Sequence, residues 1–175
     1  MYVSMLAWNP MVFLYLFIFV ATVTAIIVFL NWYSYQHLKR AIVGRRQWDL
    51  NICCGNTDGG GVNADIVQHK DQPNFVQVDS IYRLPFADGQ FETALCSHTI
   101  EHVDYPRRFD RELRRVSNEV VYILPPIWDL AAALNIWEHR WLFLTVRKVH
   151  HTLPPCIPLP FARQLQARLG QKITA

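Results

Sequence analysis

Residues 50–66 read LNICCGNTDGGGVNADI, and residues 75–104 read FVQVDSIYRLPFADGQFETALCSHTIEHVD. A strand over Leu50–Cys54 runs into a glycine turn, and a second over Val62–Ile66 carries Asp65 near its end. A third over Asn74–Asp79 ends in another acid, and a fourth over Phe91–Ser97 opens into a helix expected over His98–Val116. A fifth, Glu119–Leu124, is stopped by Pro125-Pro126. Short apolar runs alternating with turn-like or helix-like segments predict an α/β domain with a mainly parallel sheet. An acid at the tip of a parallel strand is poor packing chemistry but good ligand chemistry. Ligands of open α/β sheets sit outside the carboxyl ends of the strands, where a carboxylate accepts hydrogen bonds.

Upstream, Met11–Leu30 carries no charge, and its only polar side chains are Tyr15, Thr22 and Thr24. A helix of that length reaches about 30 Å, the thickness of a bilayer core. Trp8 before the run, with Trp32, Tyr33 and Tyr35 after it, resembles interfacial aromatic belts. No basic residue precedes the run and bulky aromatics follow it, which argues for an uncleaved anchor over a signal peptide. Lys39, Arg40, Arg45 and Arg46 follow closely, so the positive-inside rule predicts a single-pass protein of the inner (cytoplasmic) membrane with its C-terminal domain in the cytoplasm. Cys53, Cys54, Cys96 and Cys156 lack metal-type spacing and fit a reducing compartment. The net charge of +3 is mild. The basic cluster reads as a stop-transfer and lipid-headgroup contact, and no nucleic-acid partner is expected.

Three regions follow: residues 1–47, anchor and basic juxtamembrane helix; 48–126, the α/β core; 127–175, an aromatic and basic extension. The extension holds an amphipathic stretch Trp128–Trp141, then FLTVRKVHH, a proline-rich turn and a short basic helix expected over Phe161–Lys172. Its Trp128, Trp137, Trp141 and Phe143, with Arg140, Arg147, Lys148 and His150-His151, admit two readings. They cap a site at the bilayer, or they pack over the open edge of a small sheet.

Gly55 and Gly59–Gly61 also admit two readings: a close backbone approach to a cofactor, or a tight connection between strands. Asp65 and Asp79 are ligand acids or turn caps. Taken in order, Leu50–Pro125 resembles a class I S-adenosylmethionine-dependent methyltransferase of the small type 11 kind. LNICCG stands at the glycine motif, Leu84–Glu92 (LPFADGQFE) at the turn before strand four, and Ser97–His102 (SHTIEH) at the strand-four exit. The resemblance implies S-adenosylmethionine as cofactor and a small, truncated Rossmann-like domain behind the transmembrane helix. It places cofactor binding on Cys54, Gly55, Asp65, Asp79, Ser97 and Glu101. His98 and His102 become candidate catalytic bases, with Glu101 orienting a histidine or the cofactor's amino group. Departures are Cys53 at the first glycine position, Thr57 at the third, and a strand-one to strand-two loop too short for the usual helix.

His98-Thr-Ile-Glu101-His102 also matches the H-x-x-E-H pattern of an inverted zinc protease. That chemistry needs both histidines on one helical face, and His98 falls at a strand end, so no metal is expected. Two functions remain open. One is a membrane-anchored methyltransferase acting on a membrane-associated acceptor such as a quinone precursor, a lipid-linked sugar or a neighbouring membrane protein. The other is a catalytically inactive accessory subunit of an integral membrane complex.

Overall fold

Period-two alternation decides how the sheet is covered. Along β4 (Phe91–Ser97) and β5 (Ser117–Ile123), Ala94, Cys96, Val120 and Tyr122 face one core, whereas Leu95, Val121 and Ile123 face another. The computed structural model describes residues 10–171; Trp8, residues 172–175 and the expected end of the basic helix at Lys172 lie outside the described residues. The remaining strands are β1 (Trp48–Ile52), β2 (Gly60–Asp65), β3 (Phe75–Gln77), β6 (Trp141–Phe143), β7 (Val149–His150) and β8 (Cys156–Pro158). The main sheet has the order β3-β2-β1-β4-β5-β7, parallel except for β7, and β6 pairs with β8 in a separate two-stranded sheet. This is a mainly parallel, Rossmann-like α/β fold.

Helix α1 (Pro10–Val43) widens to π-helical geometry over Tyr33–Lys39. Helices α2 (Pro106–Val116), α3 (Leu130–Ala133) and α4 (Ala162–Leu169) follow. Pro106, Phe109, Leu113 and Val116 form the buried stripe of α2, leaving Arg108, Arg111 and Arg114 outside. The helix expected over His98–Val116 therefore begins eight residues late. His98 has φ 51°, in the left-handed region, so the chain cannot run straight from strand to helix. Pro106 sits at the start of α2, where its fixed φ and missing N–H cost nothing. Likewise β3 is shorter than expected, because Asn74 is left-handed (φ 51°) and Asp79 falls beyond the last paired residue. The expected amphipathic segment Trp128–Trp141 is mostly turn around the four residues of α3.

Between β1 and β2 there is no helix. Residues 53–59 run back beside β1, and Trp48 N–H bonds Gly59 O at 2.8 Å. Asn51 Nδ2 donates to Thr57 O at 2.7 Å and to Asn63 Oδ1 at 3.0 Å, while Gly59 N–H also donates to Asn63 Oδ1. A Cβ on Gly59 would stand 2.6 Å from Asn51 Cβ, and one on Gly61 would stand 2.4 Å from Trp48 O. These two glycines serve close chain passage, the second of the two readings given above.

The lower half of α1 covers the second face. Leu38, Ile42 and Val43 pack with Trp48, Leu95, Val121 and Ile123. Trp48 Nε1 donates to Val43 O at 3.0 Å. Buried Lys148 donates from Nζ to Ser34 Oγ at 2.8 Å, and Asn31 Nδ2 donates to Asp129 Oδ1 at 3.0 Å. The upper half is different: its best apolar window has mean hydropathy 2.8 and none of it is buried. This helix is long and apolar enough to span a membrane.

Candidate functional site

A cavity of about 960 Å³ opens at the carboxyl ends of β1, β2 and β4. It is lined by Cys54, Gly55, Asp65, Asp79, Ser97, His98 and His102, so the structure brings most of the expected residues together. Glu101, fully buried, lies behind this wall. The opposite wall was not legible in the sequence: Asn31, Tyr35 and Lys39 come from α1. The Tyr35 ring meets His98 edge-on at 5.7 Å.

The turn after β1 is fixed by left-handed residues, Cys53 (φ 50°) and Gly55 (φ 53°). Asp65 clamps this turn, Oδ2 accepting from Gly55 N–H at 3.0 Å and Oδ1 from Ile66 N–H at 2.7 Å. It is therefore a turn cap, and its unused lone pairs remain free for a ligand. Cys54 Sγ donates to Gln72 Oε1 at 3.0 Å, and Gln72 Nε2 donates to Gly55 O at 3.1 Å. Burial, then the Asp65 charge, pushes the Cys53 thiol well up, and the same causes bring Cys54 to about 11. Neither thiol is a nucleophile at neutral pH. Asp79 is exposed within the cavity lining.

At the strand-four exit, His98 Nδ1 lies 3.3 Å from Glu101 Oε1, an ion-pair distance without hydrogen-bond geometry. Burial lowers His98 to about 4, keeping the ring neutral at pH 7. Burial alone would raise Glu101, but the His98 contact and the His102 and His139 rings outweigh it and bring it to about 2. Ser97 Oγ, His98 Nε2, both Glu101 oxygens and His139 Nδ1 are buried without hydrogen-bond partners. His102 donates from Nδ1 to Glu138 O at 3.0 Å, and its ring meets His139 edge-on at 4.7 Å. No spacing signal pointed to His139, because it arrives from the C-terminal extension.

That extension joins the fold mainly as an edge. β7 adds antiparallel to β5, Phe143 is buried, and Trp141 packs on the core while donating to Val103 O at 2.8 Å. Trp137 stays exposed.

Residues 53–123 match the family described as "Methyltransferase domain". No curated protein matches the chain. Among solved structures, the (4+2)-cyclase SpnF is 17% identical, covering 47% of this chain and 42% of its own, with a TM-score of 0.38. The YcgJ protein of Bacillus subtilis is 18% identical, covering 65% and 62%, with a TM-score of 0.41. A Haloferax volcanii complex that includes the Trm112 methyltransferase activator is 14% identical, covering 53% and 51%, with a TM-score of 0.39. The chain thus spans between 42% and 62% of the length of these structures. Over residues 53–123 it is similar to a methyltransferase domain, carried on a Rossmann-like α/β scaffold.

Proposed function

We propose that this chain is a membrane-anchored, S-adenosylmethionine-dependent methyltransferase whose acceptor comes from the membrane. One observation carries the reading: the helix long enough to cross a bilayer supplies Asn31, Tyr35 and Lys39 to the cavity that holds Asp65 and Asp79. The cavity volume, the left-handed turn at Cys53 and Gly55, and the orphaned Ser97 Oγ fit a polar, nucleoside-bearing ligand. Bound there, S-adenosylmethionine supplies an electrophilic methyl group. Asp65, through its unused lone pairs, and Asp79 hold the ribose and adenine end. Cys54, Gly55 and Ser97 line the amino-acid end, with Glu101 behind them. His98 keeps its proton on Nδ1, facing Glu101, so Nε2 accepts the acceptor's hydroxyl or amine proton in a hydrogen bond. Lys39, Arg40, Arg45 and Arg46 just after the apolar run support a cytoplasmic orientation, with this cavity at the inner membrane surface.

A second reading keeps the fold without the chemistry, as an accessory subunit of a membrane complex. Cys53 favours it, because a side chain in a left-handed turn occupies space where backbone should approach the donor. Calorimetry separates the two. The full chain in lipid nanodiscs is titrated with S-adenosylmethionine, then incubated with labelled donor and a membrane lipid extract. Saturable binding with label appearing in the lipid fraction supports the enzyme. No binding by the native chain refutes it and leaves the accessory subunit.

A further inference from the structure

We propose that Glu101, His102 and His139 form a binding site for a divalent transition-metal ion, with its open coordination positions facing the cavity. One ligand atom from each of the three lies within 4.8 Å of the other two. Two imidazoles and a carboxylate are the donor set that suits Zn²⁺, Fe²⁺ or Co²⁺, whereas Mg²⁺ and Ca²⁺ favour oxygen donors throughout.

Three further features mark this as a prepared site. Glu101 is fully buried, and although His98 Nδ1 lies 3.3 Å from Oε1, neither oxygen has a partner in hydrogen-bond geometry. An ionised carboxylate in that state is costly unless a cation balances it. His139 is 4% exposed with Nδ1 unpartnered. His102 gives its Nδ1 proton to Glu138 O at 3.0 Å, which fixes the tautomer and leaves the Nε2 lone pair free. A backbone carbonyl holding the far nitrogen is the usual outer partner of a metal-bound histidine.

The backbone then locks the two ligand-bearing segments together. Glu101 O accepts from Arg140 N–H at 2.8 Å and Trp141 N–H at 3.2 Å. Gln171 Nε2 bridges His102 O at 3.0 Å and Glu138 O at 2.7 Å, while Gln166 Nε2 donates to His139 O at 3.1 Å. Metal bonds of about 2.0–2.2 Å would draw the three donors closer than the 4.8 Å limit within which they stand. Three protein ligands leave a coordination position open, and because His102 and His139 line the cavity, that position faces an entering molecule. An acceptor oxygen bound there becomes more acidic and better placed for attack. Metal binding itself does not rest on the methyl-transfer reading.

The test is titration of the metal-free 175-residue chain in detergent micelles with Co²⁺, followed by displacement with Zn²⁺. The native chain is expected to show visible ligand-field absorption saturating at one Co²⁺ per chain, and a rise in Tm on adding Zn²⁺. Loss of a first ligand exceeds the roughly 10–100-fold that outer partners contribute, so E101Q and H139Q should each weaken Co²⁺ binding by about 100-fold or more. Unfolding in EDTA guards against damaged folds: a folded variant keeps a cooperative transition but loses the Zn²⁺-dependent rise. If either variant fails to fold, the other and the native stoichiometry decide. Absence of Co²⁺ absorption in the native chain, or Co²⁺ affinity unchanged in a folded E101Q or H139Q, overturns the site. Co²⁺ binding without S-adenosylmethionine binding retains the metal site and removes only the methyl-transfer reading.

Discussion

Lys148 joins the long apolar helix α1 to the sheet, and its protonation gives that joint a pH signature. The residue is 7% exposed, and its Nζ donates to Ser34 Oγ on α1. Burial pushes its pKa down from 10.5 to about 8, against the opposing pull of Asp129. As pH rises, the folded state releases this proton before the unfolded state does. Between about 8 and 10.5 the unfolded chain therefore holds more protons, and stability climbs with pH across that window. At about 1.4 kcal/mol per pH unit, the climb approaches roughly 3 kcal/mol. Lys148→Met keeps a similar stem and removes the titration. It also leaves Ser34 without its donor, which offsets much of the relief from burying a charge, so the two proteins should differ little at neutral pH.

Urea unfolding of the full chain in micelles, native against Lys148→Met, measures this from neutral pH to about 10.5. Cysteine and tyrosine titrations occur in both proteins and cancel in the difference. The native chain should gain on the variant through the window, and the gain should be gone once pH drops below about 8. A constant offset between the two curves would refute a buried, proton-losing Lys148.

Asp65→Ala removes two charge-assisted bonds, to Gly55 N–H and Ile66 N–H, at about 1.5–3 kcal/mol each at most. Its urea midpoint should fall and donor binding should vanish, whereas exposed Asp79→Ala should leave the midpoint unchanged and weaken binding only. Equal midpoints for native and Asp65→Ala would remove the clamp. Gly61→Ala puts a Cβ 2.4 Å from Trp48 O, backbone that cannot step aside without breaking the β1–β2 ladder. A cost of roughly 1–3 kcal/mol or more is expected, read as faster amide exchange in both strands; unchanged exchange would contradict the close passage.

The strands were legible because alternation is a local signal. Leu50, Ala94, Val120 and their neighbours announce a buried sheet without help from distant residues. The left-handed turn at His98 was not legible, since histidine carries no mark of that conformation, although Pro106 did signal where a helix can begin. The glycine run was ambiguous for a related reason. The positions of Asn51 Cβ beside Gly59 and of Trp48 O beside Gly61 separate close passage from cofactor approach, and both are contacts between segments. The site was half legible: Asp65 and Ser97 end strands, and His98 and Asp79 follow one or two residues beyond, where ligand residues of such sheets belong. His139 and the α1 residues meet it through contacts spanning dozens of positions, as with Tyr35 and His98, and no window of sequence contains such a pair.

The short β1–β2 connection and the packed end of α1 are two sides of one arrangement. With no helix after β1, the β4–β5 face carrying Leu95, Val121 and Ile123 needs another cover. Leu38, Ile42 and Val43 provide it from the continuation of the apolar helix, at a spacing that keeps one stripe turned inward. Each large side chain so buried contributes about 1.5–3 kcal/mol, a large part of the stability expected of a domain this small. A fragment beginning at Trp48 would expose that face and would also lose the Tyr35 and Lys39 wall of the cavity. The helix that is apolar enough for a bilayer is therefore also part of the α/β domain, and its lower half supplies both a core stripe and one wall of the cavity.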